Sequence, residues 1–154
     1  MEAIDRAIYY LNIKPRTRKQ VIDYLTKKEY SPEDIDSAVK ELEEYNYIDD
    51  ANYCRLYFEM GFEKRRGIDR IKRELAEKGV DKALIEEVFE SLEKVPDQLE
   101  MALEEGRFII GDTDTEDLDY EQKQKLMAKI ARRLAAKGFK ADIAYKVARK
   151  LISK

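Results

Sequence analysis

The sequence predicts an all-α protein, built as three tandem three-helix repeats stacked into an elongated, curved array. Residues 66–92 repeat residues 16–42 at a constant offset (75 − 25 = 50), which pairs Leu25 with Leu75, Lys28 with Lys78, Ile35 with Ile85, Val39 with Phe89 and Leu42 with Leu92. A shift of 59 (134 − 75) then lays Ile130, Leu134, Lys137, Gly138, Val147 and Leu151 over Ile71, Leu75, Lys78, Gly79, Val88 and Leu92. A period near fifty is the sequence sign of stacked modules. Charged residues form 41% of the 154, beside six glycines and three prolines, a balance that suits exposed helices with narrow apolar stripes. The repeats divide the chain at 1–48, 49–95 and 96–154 and leave no room for a separate catalytic domain.

Each element follows from local chemistry. Ala3, Ile4, Ala7, Ile8 and Leu11 fall at helical spacing, and Pro15 ends that helix by removing a donor and restricting Lys14. Thr17 is placed to cap the second helix, whose Val21, Ile22 and Leu25 face inward. Ser31 caps the third, with Pro32 at its first position and Glu33 and Asp34 favoured by the dipole. Ile35, Ala38, Val39 and Leu42 form its buried edge. The second repeat reads as helices over 51–63, 68–78 and 82–92, with Asp50 as N-cap, Asp49 adding dipole compensation, and Gly79 as a left-handed cap. The third opens after Pro96 with Leu99, Ala102, Leu103, Ile109 and Ile110, and continues as helices over 122–137 and 141–152. Between them, residues 111–119 insert an acidic loop that the other repeats lack, which lengthens the offset from 50 to 59.

Charge is segregated beneath a formal net charge of −3. Residues 14–28 carry six basic side chains against one acid, 64–78 seven against three, and 123–154 eleven against Asp142 alone. Residues 33–44 and 104–121 are acidic blocks. A basic strip on an acidic protein steers toward phosphate or toward an acidic protein surface. Its recurring members are Lys28, Lys78 and Lys137, with Arg70 matched to Lys129 and Arg73 to Arg132. In the second helix of the middle repeat, Arg66, Arg70 and Arg73 follow one stripe opposite Ile68, Ile71 and Leu75. The first repeat breaks that stripe with Gln20 and Asp23, so the strip belongs to the middle and last repeats.

Enzymatic chemistry is not expected. Without histidine, the commonest general base and nitrogen metal ligand are both missing. Cys54, the single cysteine, has no activating base and sits at a packing position. Asp112, Asp114 and Glu116 alternate like calcium ligands, but Asp117 stands where the loop glycine belongs and Lys123 where the bidentate glutamate belongs. No metal and no cofactor are expected. Tyr24, Tyr53 and Tyr57 fall at spacings that suit packing better than base stacking. The first eleven residues lack the uninterrupted apolar core of a signal peptide, and the lone cysteine suits a reducing cytoplasm, the expected location.

Tyr45-Asn46-Tyr47-Ile48-Asp49-Asp50, followed by Tyr53 and Tyr57, then Arg66-Gly67, Arg70-Ile71, Glu74-Leu75 and Lys78-Gly79-Val80, resembles the central signature of the RecX family of recombinase regulators. Asn46 stands where that family usually has glycine, and asparagine tolerates the left-handed turn. The resemblance implies tandem three-helix units and a non-enzymatic regulator of RecA in recombination, DNA repair and the SOS response. Such a regulator binds RecA or its nucleoprotein filament and restrains filament growth, ATP hydrolysis and strand exchange. Arg66, Arg70, Lys72, Arg73 and Lys78, with Lys129, Arg132, Arg133 and Lys137, are then the expected contact strip. Single-stranded or double-stranded DNA is a weaker secondary partner, membranes are not expected to bind, and the protein is expected to be a monomer. The competing reading is a helix-turn-helix transcription regulator centred on residues 17–48. It needs a β-hairpin after Tyr47, where residues 51–63 instead carry helical spacing.

Overall fold

Apolar residues at three- and four-residue spacing produce helices throughout, and the computed structural model describes residues 1–152 as nine α-helices and one 3-10 turn with no strand. Ser153 and Lys154, the end of the expected third repeat, lie outside the described residues. In order, the helices are α1 (Ala3–Ile13), α2 (Arg18–Lys27), α3 (Pro32–Glu44), α4 (Asp50–Glu63), α5 (Ile68–Glu77), α6 (Lys82–Ser91), α7 (Gln98–Ile110), α8 (Tyr120–Ala136) and α9 (Ala141–Ile152). The 3-10 turn covers Thr115–Asp117.

Helix starts follow the caps. The Thr17 hydroxyl accepts from the Gln20 amide at 3.2 Å while Gln20 Oε1 accepts from the Thr17 amide at 3.0 Å, a complete capping box. Ser31 Oγ accepts from the Asp34 amide at 3.1 Å, with Pro32 in the first turn of α3. One cap differs from the sequence expectation. Asp49, rather than Asp50, is the N-cap of α4: its Oδ1 accepts from the Asn52 amide at 3.0 Å. Asp50 is already helical and its Oδ1 instead accepts from the Arg18 amide at 2.9 Å, at the start of α2. A carboxylate that also serves a second helix is invisible to local spacing. Likewise α8 starts at Tyr120, two residues ahead of Gln122, because Gln122 is the third-position partner of the Asp119 capping box.

Helix ends share one device. Glu29, Asn46, Arg65, Gly79 and Gly138 all take positive φ, from 60° to 105°, each just beyond a helix. After α5, the Gly79 amide donates to the Ala76 carbonyl at 3.0 Å and the Val80 amide to the Leu75 carbonyl at 3.1 Å, which satisfies carbonyls that the helix leaves open. Asn46 keeps its turn with φ 60°, as its tolerance of the left-handed region allows.

Two compact units result: Met1–Tyr57 with Glu74–Leu92, and Phe58–Arg73 with Glu93–Lys154. The core of the first is laid down by α1 to α3 through Ala3, Ala7, Val21, Leu25, Ile35, Ala38, Val39 and Leu42, joined by Ile48 from the turn between α3 and α4. In the second, α7, α8 and α9 bury Met101, Ala102, Ile130, Leu134, Phe139, Ala144, Val147 and Ala148. Gly106 permits the close approach of α7 to α9, since a Cβ there would stand 2.7 Å from Leu151 and 2.9 Å from Val147 side-chain carbons.

Candidate partner-binding surface

The matched second helices α5 and α8 carry Arg70, Lys72, Arg73, Lys129, Arg132 and Arg133, and their buried positions determine where those cations stand. Arg66, expected in the same helical stripe, instead precedes α5, and Lys78 and Lys137 lie just beyond the two helix ends. Ile71 and Leu75 on α5, and Ile130 and Leu134 on α8, have no exposed surface, so the intervening cations take the flanks and outer faces. Arg73, Arg132 and Arg133 are exposed, and among the described residues no carboxylate pairs with them. Arg66, Arg70 and Lys72 are half-buried and engaged within the fold, and Lys129 is half-buried. The predicted strip is therefore mixed.

Part of it serves a joint between helix ends. The Gly67 amide donates to the Lys137 carbonyl at 2.8 Å and the Asp69 amide to the Gly138 carbonyl at 3.2 Å, so the C-terminal end of α8 supplies acceptors to the N-terminal end of α5. Opposite dipole ends meet there, and open donors meet open acceptors. A Cβ on Gly67 would fall 2.2 Å from the Gly138 carbonyl carbon, and one on Gly138 would fall 2.3 Å from Arg70 Cβ. The Ile68 amide is satisfied by Gln98 Oε1 at 3.2 Å. Within the other unit the end of α5 meets the start of α2 similarly: Thr17 Oγ1 donates to the Lys78 carbonyl at 2.7 Å, and a Cβ on Gly79 would fall 2.4 Å from the Lys19 side chain.

Of the recurring lysines, Lys78 and Lys137 sit at these joints with partners of their own, whereas Lys28 Nζ stands 5.6 Å from the Tyr24 ring centroid. Lys137 Nζ lies 3.5 Å from Glu105 Oε2 and also donates to the Lys64 carbonyl at 3.5 Å. Arg65 reaches Glu104 at 3.0 Å and Glu105 at 3.8 Å, so α7 carboxylates neutralise this end of the strip. Lys78 Nζ stands 5.6 Å from the Tyr57 ring centroid, while the Tyr57 hydroxyl donates to Glu74 at 3.3 Å. Sequence periodicity finds all three lysine positions, but Glu105 and Gln98 belong to no repeat pattern and become visible only through tertiary proximity.

The signature residues divide by role. Tyr47 is exposed; Asp49 and Asp50 hold helix starts; Gly67 and Gly79 allow close approach; Ile71 and Leu75 are core. Tyr53 stacks on Tyr57 at 6.0 Å, and burial raises its phenol pKa. Burial also raises the Asp50 pKa, opposed by the hydrogen bond from the Arg18 amide. Cys54 is wholly buried, and desolvation lifts its thiol to about 11, with the Asp50 charge adding to the shift. Such a thiol is protonated at neutral pH and a poor nucleophile. Tyr24 packs face to face on Tyr10 at 3.9 Å, and Arg16 covers the Tyr10 ring at 4.1 Å. In the acidic loop, Asp114 accepts from the Glu116 amide at 3.1 Å and Asp119 from the Gln122 amide at 2.7 Å. Both carboxylates are helix caps.

Two family models match, one described as RecX, first three-helix domain, over residues 3–42, and one as RecX, second three-helix domain, over residues 49–88. A protein named Regulatory protein RecX from Listeria welshimeri serovar 6b is 31% identical over 144 residues, covering 93% of this chain and 51% of the relative. The chain thus spans about half the length of that relative. A Clostridium botulinum (strain Eklund 17B / Type B) protein of the same name is 31% identical over 149 residues, 97% of this chain and 68% of the relative. The crystal structure of RecX from Lactobacillus salivarius superposes with a TM-score of 0.78 at 26% identity, covering 97% of this chain and 94% of that one. A second solved structure, of regulatory protein RecX, gives a TM-score of 0.75 at 21% identity over 98% of this chain and 71% of that one, a likeness of fold.

Proposed function

Because the chain belongs to the RecX family, we propose that it regulates the RecA recombinase, binding RecA or its nucleoprotein filament and restraining filament extension, ATP hydrolysis and strand exchange. The observation that carries this reading is the set of outward cations, Arg73, Arg132 and Arg133, standing on register-matched helices without carboxylate partners among the described residues. Uncompensated guanidinium groups in a chain of net charge −3 are suited to an acidic surface, and Arg presents a planar fork that pairs with carboxylates in two-point fashion. Regulation is by binding and not by catalysis. A chain without histidine, whose only thiol is buried and held near 11, has poor means of acid–base or nucleophilic work. The transcription-regulator alternative is disfavoured because α4 occupies the stretch after Tyr47 where a wing would stand.

The test is charge reversal confined to exposed positions. Arg73→Glu, Arg132→Glu and Arg133→Glu together should abolish inhibition of RecA-driven ATP hydrolysis. Thermal stability should stay nearly unchanged, because exposed charges contribute little to folding. Inhibition by the parent protein should also weaken as salt rises and screening shortens the reach of its charges. A folded triple variant that inhibits as well as the parent at low salt would remove these arginines from the contact.

A further inference from the structure

The second helix of the last repeat, α8, is seven residues longer than α2 or α5 (17 − 10 = 7). Under the 59-residue shift α5 falls on residues 127–136 (127 − 68 = 59), so residues 120–126 are an extension at the N-terminal end of α8. The core stripe of α8 runs Leu134, Ile130, Met127, Tyr120 at helical spacing. Its cover thins along the way: Leu134 and Ile130 have no exposed surface, Met127 is half-buried, and Tyr120 is 78% exposed. Length explains the trend. After residues 137–140 the chain turns back as α9, which packs on α8 and extends about 18 Å, whereas α8 extends about 25 Å. The first turns of α8 therefore overhang. On the other flank of the 111–119 loop, Phe108 of α7 is 83% exposed. Large apolar side chains left open in this way mark a contact surface.

Charge names the occupant. Between the two aromatics no basic residue intervenes, and Asp112, Glu116 and Asp117 are exposed with no ion-pair partner among the described residues. Asp114 and Asp119 are the helix caps of the loop and are spent on backbone amides. The same compact unit carries the complement. Lys140, just ahead of α9, and Lys146 and Lys150, one turn apart on it, are exposed and have no ion-pair partner among the described residues, and Tyr145 beside them is 60% exposed. Three carboxylates and three ammonium groups in one unit thus stand unpaired with each other. We propose that the overhang of α8, with its acidic loop, docks the α9 face of a second copy of this chain. Asp112, Glu116 and Asp117 then meet the Lys140, Lys146 and Lys150 side chains, and Tyr145 packs on Tyr120. The two patches differ, so the contact is head-to-tail and adds copies in open chains unless the rotation closes a ring. Only α9 offers such a tail among the third helices, since Lys146 stands where α6 has the exposed Glu87 (146 − 87 = 59). Contacts led by exposed charges are weak and screened by salt, so the monomer expected from the sequence is the state at dilution and in high salt.

Analytical sedimentation of the full chain from about 10 to about 500 μM, in about 50 mM salt, tests the assignment. The average mass of the parent should climb above the 18.1 kDa of one chain as concentration rises. It should return to that value in about 1 M salt, where the screening length is about 3 Å. Asp112→Lys, Glu116→Lys and Asp117→Lys together should hold the protein at the mass of one chain, and so should Lys140→Glu, Lys146→Glu and Lys150→Glu together. All six substitutions in one chain restore complementarity with the signs exchanged, and self-association should return. Melting curves check that each variant is folded. Tyr120→Ser leaves every charge in place and should weaken association about tenfold, the loss of an aromatic contact. A parent that keeps the mass of one chain throughout the low-salt series overturns the assignment. So does a folded threefold variant that still associates, a folded sixfold variant that does not, or a Tyr120→Ser variant that associates like the parent. RecA enters none of these measurements, so the proposed regulatory function stands or falls separately.

Discussion

Leu75 has no exposed surface, and neither do Leu25 and Leu134 at the same register, so the matched leucines are equivalent core residues in three different helices. Leu75→Ala should cost about 2–5 kcal/mol, through lost transfer energy and the cavity left behind, and a shifted denaturation midpoint would read it directly. Asp50 makes a subtler prediction. Burial raises its pKa, so the folded chain holds this proton more tightly than the unfolded chain does. Its contribution is therefore fully present below the ordinary carboxylate pKa and is lost as pH rises through the raised value. Asp50→Asn keeps an acceptor for the Arg18 amide and removes the buried charge. The variant should melt at or above the parent temperature at neutral pH, with the difference shrinking on acidification. A gain that instead grew as pH fell would contradict the burial argument.

At the level of elements, most helices were legible because their signals are local. Apolar spacing located all nine, and Thr17, Ser31 and Gly79 cap as their side chains or conformational freedom dictate. What was not legible is how the ends meet. Gly79 and Gly138 coincide under the 59-residue shift, but Gly67 has Thr17 as its counterpart, so no repeat pattern announces that two glycines of the second unit face each other. The basic residues show the same division. Arg73 and Arg132 share a register and both reach solvent, whereas Lys137 looks like them in sequence and is half-buried beside Glu105. Charge runs reveal where cations are, but their pairing depends on carboxylates from another helix. The helix-end joint can be tested at its tightest point. Gly138→Ala places a methyl against Arg70 and forces an L-residue to φ 105°, and should lower stability by about 1–3 kcal/mol or more. An unchanged melting temperature would mean that the joint opens freely.

For the molecule as a whole, a repeat origin would suggest that stability is a sum over separable modules. The boundary between its two compact units runs through helices, after Tyr57 within α4 and after Arg73 within α5. Ile71 and Leu75 are fully buried one turn apart on the same helix, the first belonging to one unit and the second to the other. Melting either unit would have to fray a helix whose remaining turns are still packed, and helices resist being cut short because each surviving turn then loses its continuing hydrogen bonds. Calorimetry should therefore give a single transition whose van't Hoff and calorimetric enthalpies agree. A chain ending after residue 48 or after residue 95 should lose more stability than the contacts of the missing repeat alone supply. Because α5 is continuous, a partner that grips Arg73, in the middle of this helix, also slows the opening of the turn that carries the buried Leu75.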